Sequence, residues 1–200
     1  MISWVHPGLV IGLGGLLIPF IPWRRAKQAY FLLLPLAGLA ILVATSTGGF
    51  GAVPAWPQAL HTWNVPFLQY TLEIARINKL SILFGYVYVI AAFCMNIYAL
   101  GAKNDWEHTA AMIYVGSALG AVFAGDLFTL FFCLEIMSWA PFFLILFRGT
   151  KKAKGAAIRY ILWHHFSGVC ILAGILIHVH NTGSIVFGHM PWGWGGENLA

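Results

Sequence analysis

Two hundred residues suit one domain, but 60% hydrophobic and 8% charged residues exclude a water-soluble one, because a soluble domain carries about 25% charged residues. The 11 basic and 6 acidic side chains cannot cover a globule of this size, and the mean hydropathy is +0.81. A net charge of +5 would suit nucleic acid only as a patch. Here the basic residues fall in short clusters between long apolar runs, the positive-inside pattern of a multi-pass membrane protein.

The fold class expected is therefore an all-α membrane protein, and residues 1–200 are read as one membrane domain. A bilayer core takes about 20 apolar residues per helix. Six runs meet or approach that length: 3–22, 29–47, about 80–100, 109–125, 127–147 and about 160–180. The first lacks a basic segment ahead of it, as a cleaved signal would have, and reads as a retained helix. Only Gly125 and Asp126 separate the fourth run from the fifth, which predicts a tight turn and an antiparallel hairpin of helices. Strand-like alternation through the apolar runs is absent, which argues against a barrel.

Of the 11 basic residues, all but Arg76 and Lys79 lie on the 1–2, 3–4 and 5–6 connections. These connections are expected in the cytoplasm, with both termini outside. The connection 48–79 starts GGFGAVPAWP and continues with β-prone residues from Phe67 to Leu72. It reads as an ordered outer arm, in one version a short hairpin, with Asn64-Val65-Pro66 able to begin an extended segment. The segment 181–200 holds too many Gly and Pro residues to span, and Trp192 and Trp194 suit the membrane interface.

Glu135 is the sharpest chemical feature. It sits midway along LFTLFFCLEIMSWAPFFLILF and is the only carboxylate, Lys or Arg deep in any run. A charge there costs roughly 2.5–3.5 kcal/mol on insertion scales. Such a carboxyl survives protonated, or paired with a cation or a water chain, and both conditions suit a proton relay. The plainer reading is a protonated glutamate hydrogen-bonding a neighbouring helix. Ser138 lies one turn on, and Pro141 frees a backbone carbonyl in the turn before it. His164 and His165, expected near the cytoplasmic end of the sixth run, are candidate proton carriers. Neighbours on a helix differ by about 100° in direction, so the two cannot both face one site.

The remaining polar residues read as structural. His178 and His180 point to nearly opposite helix faces, which does not suit a metal or haem, and His189 and His6 read as interfacial. No cofactor and no metal is expected. Cys94, Cys133 and Cys170 read as small buried hydrophobes. Asp126 suits a helix cap, Glu73 and Arg76 a local ion pair, and the glycines of the first run close helix packing.

Three stretches carry a family resemblance: EIARINKLSILFGYVYVIAAFCMNIYA, DLFTLFFCLEIMSWAPFFLILF and AAIRYILWHHFSGVCILAGI. Their order, with R-x-x-K-L-S-x-L-F opening the third helix and D-L-F-x-L-F…E-x-M-S in the fifth, resembles the antiporter-like membrane subunits over about residues 63–188. These occur in Mrp-type cation/proton antiporters, in membrane-bound hydrogenases and in respiratory complex I, and the flavour is that of the D-type antiporter subunit and its hydrogenase relatives.

The resemblance implies that Glu135 stands where the family has a central proton-relay glutamate, paired with a lysine on a broken seventh helix. Family members have about fourteen helices in inverted repeats; these residues carry six, without that helix or its lysine. The resemblance thus implies a proton-translocating subunit, or the N-terminal piece of a split one, in a multi-subunit complex of the cell inner membrane. Expected partners are other hydrophobic subunits, including a chain supplying the missing lysine, together with the bilayer, protons and, in an antiporter, Na+. No nucleic acid is expected, and any redox chemistry belongs to other subunits. The alternative is a structural bridging subunit that keeps the fold without conducting protons.

Overall fold

A computed structural model describes residues 5–47, 58–65, 70–102 and 104–187. The order is α1 (Pro7–Leu16), a 3-10 turn (Ile18–Phe20), α2 (Arg24–Ser46), β1 (Gln58–Val65), β2 (Tyr70–Ile77), α3 (Lys79–Ala99), α4 (Asp105–Phe123), α5 (Leu127–Phe147) and α6 (Lys151–Thr182). The protein is mostly helical. Four helices, α2, α3, α5 and α6, are long and apolar enough to cross a membrane. The first and fourth apolar runs form helices that fall short of that description.

The first run departs most from expectation. His6 caps α1, its Nδ1 accepting from the Gly8 N–H at 3.0 Å, and Pro7 follows at the first helical position, where no N–H is needed. The helix stops at Leu16 because Pro19 has no N–H for the preceding turn and its ring crowds the carbonyl four residues back. A 3-10 turn replaces the span expected to Pro22. α2 then starts at Arg24, not at 29, because its basic side chains can hold their heads in water while their stems lie along the helix. α4 likewise starts at Asp105 and not at 109, capped by Asn104.

α6 begins at Lys151 and not near 160. Thr150 caps it by accepting from the Ala153 N–H at 3.1 Å, and Gly183 ends it at φ 69°, a left-handed position suited to glycine. Its 32 residues extend about 48 Å, well beyond a hydrocarbon core of about 30 Å. This length moves His164 and His165 from an expected helix end to near the helix middle.

The core lies among α1 to α4 and β2, around Ile11, Phe31, Leu42, Met112, Leu119 and Phe123. α1 crosses α4 at glycines: a Cβ on Gly8 would strike the Gly116 carbonyl oxygen. Within α2, Pro35 cannot donate to the Phe31 carbonyl. Asn96 of α3, 2% exposed, donates its Nδ2–H to that oxygen at 2.8 Å. A side chain of one helix thus meets the backbone need that proline creates in another.

The arm is a β-hairpin. β1 and β2 are antiparallel, with Trp63 opposite Leu72 and Val65 opposite Tyr70, and a register shift around His61. Asn64 and Val65 close the first strand; they do not begin it. Residues 48–57 and 66–69 of the expected arm, and Trp192, Trp194 and His189, lie outside the described residues.

The hairpin is bolted to the α4–α5 turn. Asp126, fully buried, caps α5 by accepting from the Thr129 N–H at 2.7 Å, and its other oxygen accepts from the Glu73 N–H and the Thr129 hydroxyl, both at 2.7 Å. The Gly125 N–H donates to the Glu73 carbonyl at 2.9 Å. Arg76 lies 2.9 Å from the Glu73 carboxylate and donates to the Phe187 carbonyl at 2.9 Å. The ion pair read as local therefore sits where the hairpin, the α4–α5 turn and the segment after α6 meet.

Candidate functional site

α5 and α6 pack side by side along the bundle, leaving Phe132, Ile136, Trp163 and Phe166 exposed on their outer faces. Among these apolar side chains lies one polar pair. The Oε2 of Glu135 is 3.3 Å from the Nδ1 of His165. The contact is an ion pair only when the imidazole is protonated. The side chains are 27% and 43% exposed respectively, so this chain covers one side of the pair and leaves the other open.

Two further residues shape this contact. Gly168, one turn after His165, is overlain by the Glu135 carboxylate, and a Cβ at 168 would overlap Oε1. Trp139, one turn after Glu135, meets the His165 ring edge to face, with centroids 5.3 Å apart. The carboxylate thus lies in a notch of α6 while the imidazole rests against α5. Sequence reasoning passes over both residues. Their spacing, His165 with Gly168 and Glu135 with Trp139, is the signal that could find them, since residues three or four apart share a helix face.

The other expected site residues fall elsewhere. His164 turns to Tyr160, its ring centroid 4.5 Å away, consistent with the angular separation of helix neighbours. Ser138 is buried at 3% exposure and donates its hydroxyl to the backbone carbonyl of Glu135 at 2.7 Å. It touches the relay candidate through the main chain and not through the carboxylate. Among the described residues, no three His, Cys, Asp or Glu side chains converge as a metal site.

Chemically, a proton can pass between Oε2 and Nδ1 without changing the net charge of the pair. Neutral acid with neutral imidazole becomes carboxylate with imidazolium, and both forms sum to zero. A net-neutral pair is less costly in a low-dielectric region than a lone ion. Loading one further proton makes the pair cationic, so uptake requires compensating charge or water on its open side.

This part of the chain has recognisable relatives. The family model described as "NADH:quinone oxidoreductase/Mrp antiporter, TM" matches residues 124–192, which include α5, α6 and both members of the pair. NADH-quinone oxidoreductase subunit M of Escherichia coli (strain K12) is 26% identical over an alignment of 203 positions, covering 87% of this chain and 40% of that protein. The D-type Na(+)/H(+) antiporter subunit of Alkalihalophilus pseudofirmus is 32% identical over 66 residues, 33% of this chain and 13% of that protein. The chain therefore spans less than half the length of these relatives. The fold is similar to a chain in the structure of the membrane-bound sulfane sulfur reductase, an archaeal respiratory membrane complex. The TM-score is 0.75 at 22% identity, over 91% of this chain and 28% of that one.

Proposed function

We propose, taking as premise that this chain belongs to the antiporter-like membrane subunit family, that it relays protons through Glu135 within a multi-subunit membrane complex. It acts as a proton-translocating subunit, or as the N-terminal piece of a split one, in cation/proton antiport or in redox-driven pumping. His165 exchanges the proton with Glu135, and the cation that balances the open side comes from another polypeptide. The family resemblance suggests a lysine for that role. The first apolar run, α1 with its 3-10 turn, and α2 to α6 cross a cytoplasmic membrane as one domain, with the basic connections inside and the hairpin outside.

The observation that carries this reading is the 3.3 Å contact of Glu135 with His165, with its far side left open. An ionised carboxylate facing lipid tails costs roughly 2.5–3.5 kcal/mol, so the open side suits protein or ordered water better than hydrocarbon. The test is E135Q in the assembled complex. Proton-coupled activity should be lost while the complex still assembles. Full activity in E135Q would overturn the relay. If deleting the chain breaks the complex while E135Q is silent, the chain is a structural bridge.

A further inference from the structure

A second polar site is built from residues other than those around Glu135. A cavity of about 320 Å³ opens where α2 and α4 begin and α3 ends. Arg24, Lys27, Asp105 and His108 line it, with Phe31 and Leu100 as its apolar wall. The Lys27 ammonium lies 2.6 Å from the Asp105 carboxylate, so these two charges cancel. Arg24 is exposed and has no ion-pair partner among the described residues. The cavity therefore carries one uncompensated cation, and His108 adds a second when protonated. Its charge selects an anion.

The surroundings identify which kind. The residues leading into α2 turn large apolar side chains outward: Phe20 is 78% exposed and Trp23 is 77% exposed. Tryptophan suits the headgroup level of a bilayer, and apolar side chains before it suit acyl chains. The 5–6 connection brings Lys151, Lys152 and Lys154 to the same end of the bundle. Basic residues in the first turn of α2 oppose that helix's dipole, so the helix itself gains nothing from them. We infer that this cavity binds the phosphate of an anionic phospholipid, with Arg24 on the phosphate, Lys27 held by Asp105 beside it, and the chains running past Phe20 and Trp23. Basic hollows between membrane helices are a recurrent setting for such headgroups. This inference does not depend on the proton-relay reading.

The experiment compares the detergent-solubilised complex carrying wild-type chain, R24Q or R25Q. Arg25 has the same charge and exposed position but does not line the cavity. Native mass spectrometry follows retention during titration with phosphatidylglycerol, with phosphatidylcholine, and with inorganic phosphate alone. Wild type should retain phosphatidylglycerol over phosphatidylcholine. R24Q should weaken retention about fivefold, the equivalent of about 1 kcal/mol for one basic residue at an anionic surface. R25Q should match wild type, and inorganic phosphate should not compete. Equal losses in R24Q and R25Q would overturn the site in favour of diffuse surface charge. Saturable binding of inorganic phosphate that displaces phosphatidylglycerol would make it a free-oxyanion site. Equal retention of the two lipids would remove it.

Discussion

The carboxylate of Glu135 reaches His165 across the place where residue 168 has no side chain. With a Cβ on Gly168, the carboxylate would have to move or the two helices separate. G168A is therefore expected to act like a disturbance of Glu135 while leaving the carboxyl in place. Overpacking of this kind costs about 1–3 kcal/mol, so the melting midpoint of the solubilised complex should fall. Proton-coupled activity in proteoliposomes should fall with it. Wild-type activity and wild-type melting in G168A would mean that α5 and α6 do not meet in this register.

The two neighbouring histidines make an internal control. His165 touches Glu135 and Trp139, whereas His164 touches Tyr160. H165A should lower the rate of proton-coupled activity by about tenfold or more, the scale expected when a positioned proton-transfer group is lost. H164A should stay within about twofold on that scale. Initial rates of dye quenching at matched protein content provide the comparison. Equal effects of the two substitutions would remove His165 from the exchange step.

Why the sequence led to Glu135 but not to Gly168 is a matter of range. A carboxylate in an apolar run is a local anomaly, visible in composition alone. A glycine in the same setting reads as ordinary close packing, and only the register between α5 and α6 gives Gly168 its place under the carboxylate. The break in the first run has a similar cause. Hydropathy counts Pro19 and Pro22 as tolerable neighbours of Leu and Ile, but helix continuity depends on an N–H that proline lacks. The early starts of α2 and α6 were hidden by Arg and Lys, whose charge reads as loop even where their stems follow a helix. Asp126 was legible as a cap, because its partner Thr129 is three residues away. Its bond to Glu73, 53 positions distant, was not.

That second role of Asp126 has a measurable consequence. Replacing it with alanine orphans the backbone N–H groups of Thr129 and Glu73 together. Loss of charge-assisted bonds at a buried site costs about 3 kcal/mol. D126A should lower the melting midpoint and expose the hairpin to limited proteolysis between Gln58 and Ile77. T129A removes only the hydroxyl bond to the same carboxylate and should do so much less. If D126A melts as wild type and resists cleavage, the hairpin is held by its apolar contacts at Leu72, Ala75 and Ile77 instead.

Asn96 and Pro35 provide a test within the core that is independent of transport. Asn96 donates to the carbonyl of Phe31, the residue four positions before Pro35. It lies 3.8 Å from the Met112 sulfur as well, a weaker contact. N96A should destabilise the protein by about 1–2 kcal/mol, because the Phe31 carbonyl is left without its donor away from water. In a P35A background position 35 gains a backbone N–H that can bond that carbonyl within α2, so the same N96A change should cost less. The double-mutant cycle should therefore give a coupling of about 1 kcal/mol between residues on different helices. Thermal unfolding of the four proteins in one detergent measures it. Strict additivity would mean that the Phe31 carbonyl is satisfied by other means, and that Asn96 acts in the core through packing alone.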